Sequence, residues 1–207
     1  MKKYKEFRKR KNSSTNEWYT PKDYIESARK VLGGIEVDPA SSDKANEIVQ
    51  ADLYYTKETN GLDKKWLNKD GKPSSLFLNP PYGGEEEIWV PKLIKEYNEY
   101  SVREAILLVG SKTDVKWFRK LWQYTLCFTR FRIKFTPGEE NDAEKLDLKK
   151  NQPPCGNVFA YFGCYDSVFS KEFEQYGEIV SKKHSVSDNN KFDIERYQDM
   201  YSEYLIS

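Results

Sequence analysis

Compact apolar runs alternate along this chain with segments whose apolar positions recur at helical spacing. The runs at 105–109 and 158–162 are continuously apolar, which is typical of strands buried on both faces of a sheet. Prolines, glycines and capping residues separate the segments. We predict strands over residues 35–38, 75–78, 105–109, 126–128, 132–135 and 158–162, and helices over residues 21–32, 43–50, 85–100 and 113–122. In the third of these helices we expect Ile88, Leu93 and Ile94 on the apolar side.

The order of these segments predicts an α/β fold with a mostly parallel central sheet and a late antiparallel strand pair. Ligands of such sheets bind beyond the carboxyl ends of the strands. Asp38, Asn79 and the pair Gly110-Ser111 each follow a predicted strand. We therefore expect the functional residues to meet at this edge of the sheet.

Composition excludes several kinds of chemistry. The 207 residues include one histidine, His184, and three cysteines, Cys127, Cys155 and Cys164, which have no metal-ligand spacing. Histidine-dependent triads and zinc sites are therefore not expected, and we predict no metal. Because the chain has no run of about 20 apolar residues and no signal-peptide pattern, we predict a cytoplasmic protein with reduced thiols and no membrane span.

The net charge of +1 conceals a strongly basic N-terminus. Of the 34 basic and 33 acidic residues, seven basic ones precede residue 12 together with the single acid Glu6, which leaves 27 basic and 32 acidic residues, a net of −5. The seven are Lys2, Lys3, Lys5, Arg8, Lys9, Arg10 and Lys11. We predict a flexible arm over residues 1–15 that binds nucleic acid. Charge alone fits a solvated terminus equally well.

The tetrapeptide Asn79-Pro80-Pro81-Tyr82 is the most informative motif in the chain. It leaves a predicted buried strand and is followed by two glycines, so it also suits a tight turn. Two consecutive prolines remove two backbone donors and stiffen the loop, which fixes carbonyl acceptors beside an amide and an aromatic ring. This set of groups suits a planar substrate that carries an amino group.

At this motif the chain resembles the phage-type DNA N6-adenine methyltransferase family, which uses S-adenosylmethionine. The resemblance covers roughly residues 16–163 and rests on several ordered blocks. These are Asn-Glu-Trp-Tyr-Thr-Pro at 16–21, Ile-Glu-Val-Asp-Pro-Ala-Ser-Ser at 35–42, Leu-Phe-Leu-Asn-Pro-Pro-Tyr-Gly at 76–83, Ala-Ile-Leu-Leu-Val at 105–109, Arg-Ile-Lys-Phe at 132–135 and Tyr-Phe-Gly at 161–163. The resemblance implies a Rossmann-like class I methyltransferase fold. It also implies an enzyme that methylates adenine N6 in double-stranded DNA.

The resemblance also implies roles for individual residues. Asn79, Pro80, Pro81 and Tyr82 would be catalytic, with the first two accepting hydrogen bonds from N6 and Tyr82 stacking on a flipped adenine. Cofactor binding would fall to Tyr19, Thr20, Pro21, Asp38, Pro39, Ala40, Ser41 and Asp52. The chain departs from the general pattern because no G-x-G sequence follows Asp38. Asn60-Gly61-Leu62 is either a contact for the adenine ring of the cofactor or a simple turn.

The expected organisation is a catalytic domain over residues 16–170 and a helical C-terminal appendage over residues 171–207. In the appendage Ile194, Tyr197, Tyr201 and Leu205 recur at helical spacing. The polar segment 137–154 is our candidate for the target-recognition loop, although its charges also suit a plain surface connection.

Other interpretations remain open. Trp89, Phe131 and Phe135 are candidates for the wall opposite Tyr82, or for the core. An RNA adenine or a protein glutamine amide would also suit the motif, and a non-catalytic DNA-binding module would explain the missing glycines. We favour the DNA enzyme because of the basic arm. Its setting would be the cytoplasm of a bacterial host, with a phage or restriction-modification origin.

Overall fold

A computed structural model describes residues 18–137 and 155–181. Its strands are β1 (Trp18–Tyr19), β2 (Val37–Asp38), β3 (Leu53–Tyr54), β4 (Ser74–Leu78), β5 (Val102–Gly110), β6 (Thr125–Thr129), β7 (Thr136–Pro137), β8 (Asn157–Phe162) and β9 (Gly177–Val180). Its helices are α1 (Lys22–Leu32), α2 (Asp43–Val49), α3 (Glu86–Asn98), α4 (Lys116–Arg119) and α5 (Asp166–Phe173). Short 3₁₀ turns cover Gly61–Asp63 and Lys120–Gln123.

Seven strands form one sheet in the order β3-β2-β4-β5-β8-β6-β9. The first four are parallel to one another, whereas β8 is antiparallel to both β5 and β6, and β9 is antiparallel to β6. The prediction of a mixed α/β fold with a mostly parallel sheet and late antiparallel pairing is confirmed. The four parallel strands place all their carboxyl ends at one edge.

Both faces of the sheet are covered, which explains the continuously apolar strands. On one face Leu76, Leu78 and Leu107 pack in a cluster with side chains of α3 and α4. On the other, Phe77 and Ile106 pack with side chains of α1 and α5. Alternate residues of one strand therefore enter two separate cores, and the strands carry no polar face.

Local signals set the helices that flank the functional edge. α1 begins after Pro21 and ends at Gly33, whose φ of +67° favours glycine. α2 is capped by Ser42, whose side-chain oxygen accepts a hydrogen bond from the Ala45 N–H at 3.2 Å. Both helix starts agree with the sequence prediction.

Three sequence predictions are wrong in detail. Ile88 is 59% exposed, because α3 buries Trp89 and Val90 beside Leu93, which was predicted correctly. The helix expected over 113–122 is only the short α4 followed by a 3₁₀ turn. Residues 132–135 form no strand; only the following Thr136–Pro137 pairs, with β1 in a separate two-stranded sheet.

The expected domain boundary at residue 170 falls inside α5, and β9 beyond it joins the main sheet. We therefore propose that the catalytic domain extends to Ser181. The basic arm, all of the candidate recognition loop (137–154) except Pro137, and the apolar stripe of the C-terminus lie outside the described residues. Within the described ranges no helix is long and apolar enough to cross a membrane.

Candidate active site

A cavity of about 600 Å³ opens where β2, β3 and β4 end. That volume lies in the range typical of small-molecule sites. Ten of the twelve predicted catalytic and cofactor-binding residues line it: Tyr19, Thr20, Asp38, Pro39, Ala40, Ser41, Asn79, Pro80, Pro81 and Tyr82. These residues lie far apart in the chain, and the parallel strands bring them to one place.

Asn79 follows the last residue of β4 and presents an amide with two different environments. Its Nδ2 donates to the Thr20 Oγ1 at 3.2 Å and to the Trp18 carbonyl oxygen at 3.5 Å. Its Oδ1 is buried and has no hydrogen-bond partner among the described residues. A buried acceptor without a partner costs about 1–3 kcal/mol, so this oxygen is the clearest sign of a ligand-binding site. The two contacts of Nδ2 fix which end of the amide is free.

Tyr82 is held at the rim of the cavity by two contacts. Its ring meets Phe135 edge-on, with centroids 5.6 Å apart. Its hydroxyl accepts a hydrogen bond from the Asn157 Nδ2 at 3.4 Å, and the Asn157 Oδ1 accepts one from the Ile133 N–H at 3.1 Å. Burial and the nearby Glu86 carboxylate raise the pKa of Tyr82, so the phenol is neutral. The ring is thus a fixed, uncharged surface.

The two glycines after the motif give the loop its sharp exit. Gly83 and Gly84 have φ of +117° and +114°, a region that favours glycine. The Gly84 N–H donates to the Glu86 carboxylate at 3.0 Å, and the same side chain pairs with the Lys112 ammonium at 2.6 Å. Glu86 is only 1% exposed. This buried pair joins the catalytic loop to the segment that follows β5.

Asp38, the last residue of β2, is a buried carboxyl group that lines the cavity. Burial raises its pKa to about 6, even though hydrogen bonds from Ser41 and from the Ala40 N–H lower it. No Lys or Arg among residues 18–137 and 155–181 forms an ion pair with it. A buried acid of this kind suits a ligand that brings a positive charge or hydrogen-bond donors.

The backbone beside Asp38 packs closely against the turn that contains Gly61. A Cβ on Gly61 would lie 2.0 Å from the Pro39 carbonyl oxygen, so no larger residue fits there. The preceding Asn60 caps the 3₁₀ turn by accepting from the Leu62 N–H at 3.2 Å. Asn60, Gly61 and Leu62 therefore form a turn and also line the cavity.

Two predicted cofactor residues are not at the cavity wall. Asp52 is exposed at the start of β3, and its N–H donates to the Ile35 carbonyl oxygen at 3.2 Å. It therefore lies at the amino end of a strand whose carboxyl end faces the cavity. Pro21 caps α1 beside Thr20 without lining the cavity.

Several wall residues were not predicted from the sequence: Trp18, Ala45, Val49, Tyr55, Thr56, Lys57, Phe77 and Glu85. Tyr55, Thr56 and Lys57 follow β3, so their position after a strand was the available signal. Trp89 lines the cavity and stacks on Trp66, and Phe135 is buried against Tyr82. Phe131 is 82% exposed and lies in neither the core nor the wall.

The chain matches the family model for DNA N-6-adenine-methyltransferase (Dam) over residues 8–155. This match covers more than half of the chain, so the protein belongs to that family. Membership implies DNA adenine N6-methyltransferase activity in general. A comparison with curated proteins finds none that matches. In residues 18–137 and 155–181 no group of three His, Cys, Asp or Glu side chains is placed to hold a metal ion.

Proposed function

We propose that this protein is a site-specific DNA methyltransferase that transfers a methyl group from S-adenosylmethionine to adenine N6. The observation that carries the proposal is the buried Asn79 Oδ1, which points to a hydrogen-bond donor that none of the described residues supplies. An amino group of a planar base is such a donor. The proposed fold is the Rossmann-like class I methyltransferase type, and the order of the parallel strands with an inserted antiparallel β8 supports it.

The residues of the cavity suit the proposed cofactor. Asp38 offers a buried acid to a group that is positively charged or rich in donors. Tyr19, Thr20, Ala40 and Ser41 would complete the wall around it. When bound, the cofactor supplies a methyl group on a positively charged sulfur, which needs no metal or thiolate for its transfer.

The protein's own groups would act on the adenine. Asn79 Oδ1 and the Pro80 carbonyl would accept hydrogen bonds from the two N6 hydrogens, which favours localisation of the nitrogen lone pair. Thr20 and Trp18 would keep the Asn79 amide in the required orientation through its Nδ2. Tyr82 would stack on the base, and its bond from Asn157 would hold the ring in place.

Double-stranded DNA is the proposed substrate, and its target adenine would leave the helix to reach the cavity. The basic arm with Lys2, Lys3, Lys5, Arg8, Lys9, Arg10 and Lys11 is proposed to bind phosphates without reading sequence. This substrate implies action in the cytoplasm of a bacterial host, whether in a phage or in a restriction-modification setting.

The test is to incubate the full chain with unmethylated plasmid DNA and methyl-labelled S-adenosylmethionine, and then to identify the modified nucleoside by mass. We expect N6-methyl-2′-deoxyadenosine from DNA at a limited set of sites, and none from the Asn79→Ala variant. Parallel reactions with RNA and with a glutamine-containing peptide test the other acceptors. If calorimetry shows no binding of S-adenosylmethionine while the protein still binds DNA, the result would instead support a non-catalytic DNA-binding module.

A further inference from the structure

Phe131 is the most exposed large hydrophobic side chain among the described residues, at 82%. It lies in the irregular segment between β6 and β7, where sequence analysis predicted a strand. An isolated exposed aromatic is common on protein surfaces and needs no explanation alone. The surroundings of this one are unusual, because both of its chain neighbours are arginines.

The segment is anchored beside the proposed active site. Ile133 and Phe135 are buried, and the Ile133 N–H donates to the same Asn157 side chain that holds the Tyr82 hydroxyl. The Phe135 ring packs against Tyr82 itself. Phe131 therefore projects from a backbone that is fixed, two residues further on, to the network of the catalytic loop.

The charged side chains of this segment have different partners. Arg130 pairs with Glu178 at 3.1 Å. Arg132 and Lys134 are exposed, and neither pairs with an acid among the residues that the structure describes. Arg132 and Lys134 thus place two cations on either side of the buried Ile133, next to the exposed ring of Phe131. Cations and an exposed ring in this arrangement suit the backbone phosphates and stacked bases of a nucleic acid.

We infer that residues 131–134 are a DNA-contacting segment, in which Phe131 stacks against bases next to the flipped adenine while Arg132 and Lys134 bind phosphates. This inference rests on the proposed function, because it needs duplex DNA at this rim. When a base leaves the stack, its neighbours lose an apolar contact that an aromatic side chain replaces. Each phosphate contact adds affinity that depends on salt.

The phosphate contacts are tested by the salt dependence of binding. The probe is a fluorescein-labelled duplex fragment of plasmid that the wild-type protein methylates, titrated by anisotropy. Arg132→Gln and Lys134→Gln should each make the slope of log K against log salt shallower by about 0.9. Lys69→Gln is the matched control, because Lys69 is exposed in the turn before β4, at the opposite edge of the sheet. Slopes equal to that of the control would overturn this part of the inference.

The stacking contact is tested by Phe131→Trp and Phe131→Ala. The tryptophan variant should show an additional change of emission on DNA binding that is absent from wild type, which carries the same five other tryptophans. The alanine variant should bind the fragment about ten-fold more weakly with an unchanged salt slope. An emission change identical to that of wild type would overturn the stacking role.

The two proposals fail in different ways. If wild type does not methylate DNA, the proposed function fails before any variant is made. If wild type methylates and binds the fragment while the variants of Phe131, Arg132 and Lys134 behave like Lys69→Gln, only the DNA-contacting segment is wrong. Because all three side chains are exposed, these substitutions leave the core intact.

Discussion

The two carboxyl groups on either side of Val37 have pKa values that are shifted in opposite directions. Glu36, at the amino edge of the sheet, accepts hydrogen bonds from the Ser75 N–H at 2.7 Å, from Asn68 at 3.2 Å and from Arg103 at 2.5 Å. Burial alone would raise its pKa, but these donors and the arginine charge lower it. Asp38, at the carboxyl edge, is more deeply buried and has a raised pKa.

The same contrast separates two asparagines. Asn68 uses both ends of its amide near the amino edge, donating to Glu36 and accepting from the N–H groups of Asp70 and Lys72. Asn79 leaves a buried oxygen without a partner at the carboxyl edge. The amino edge is thus built for stability, whereas the carboxyl edge keeps incompletely satisfied polar groups that a ligand would complete. This comparison leads to four predictions.

The largest effect is expected for Asn79→Ala. We expect the activation free energy of methyl transfer to rise by at least about 3 kcal/mol, and the rate to fall accordingly, because the acceptor acts when N6 reacts. The free energy of unfolding should change by less than about 1 kcal/mol, since the lost donor bonds are offset by removal of an unsatisfied oxygen. Single-turnover kinetics and urea unfolding measure the two quantities.

Asn68→Ala is the matched control for this comparison. It removes three hydrogen bonds at the other edge, so we expect a loss of about 2 kcal/mol in stability with the same rate per folded molecule. If Asn79→Ala instead loses stability and keeps its rate, the division between the two edges is wrong.

The second prediction concerns pH. The pKa of Asp38 is about 6 in the folded protein, against an ordinary value of 3.8 for an aspartate. Between these two pH values the folded state keeps the proton, whereas the unfolded state releases it. The Asp38 contribution to the free energy of unfolding should therefore fall by about 3 kcal/mol as pH rises from about 4 to about 6. The difference between wild type and Asp38→Asn, measured by urea unfolding across this range, isolates it.

Glu36 should show the opposite sign. Its folded pKa lies below 4.5, so its stabilising effect is present above pH 4.5 and is lost as pH falls through the folded pKa. The side chain is 24% exposed, so we expect a smaller effect than at Asp38. If Asp38→Asn and Glu36→Gln change the pH profile in the same direction, the contrast between these carboxyl groups is wrong.

The features that sequence analysis predicted correctly share a physical reason. The strand over 75–78, the end of α1 at Gly33 and the Ser42 cap depend on neighbouring residues, and the structure confirms them. The motif at 79–82 was identifiable because consecutive prolines restrict the loop by themselves. Its place after a strand then predicted the edge of the sheet where the cavity lies.

The sequence predictions that were wrong concern residues whose structure is determined by tertiary contacts. The prediction of a strand over 132–135 is wrong, because Ile133 and Phe135 are buried by packing on Asn157 and Tyr82 and pair with no neighbouring strand. Asp52 was chosen from an expected strand end, and β3 begins only after it. No local pattern shows that Gly61 packs against Pro39, because that contact joins separate turns.

The third prediction separates the ring of Tyr82 from its hydroxyl. Tyr82→Ala should weaken binding of the flipped base by about 1–3 kcal/mol, since the stacking surface is lost. Tyr82→Phe removes only the bond between the hydroxyl and the Asn157 amide, so we expect smaller losses in binding and rate. Steady-state kinetics on plasmid DNA measures them. A Phe variant as impaired as Ala would show that the hydroxyl, and not the ring, is required.

The smallest effect is expected at Thr20, which acts only through Asn79. Its hydroxyl accepts from the Asn79 Nδ2 at 3.2 Å and so helps to keep Oδ1 directed into the cavity. Thr20→Val keeps the shape but removes this acceptor, while the Trp18 carbonyl still accepts from Nδ2 at 3.5 Å. We therefore expect the activation free energy of methyl transfer to rise by about 1 kcal/mol, which lowers the rate several-fold, with little change in KM for DNA. Thr20→Ser keeps the hydroxyl and should restore most of the rate. If serine and valine are equally impaired, Thr20 acts through its methyl group or its backbone, and the Trp18 carbonyl alone orients the amide.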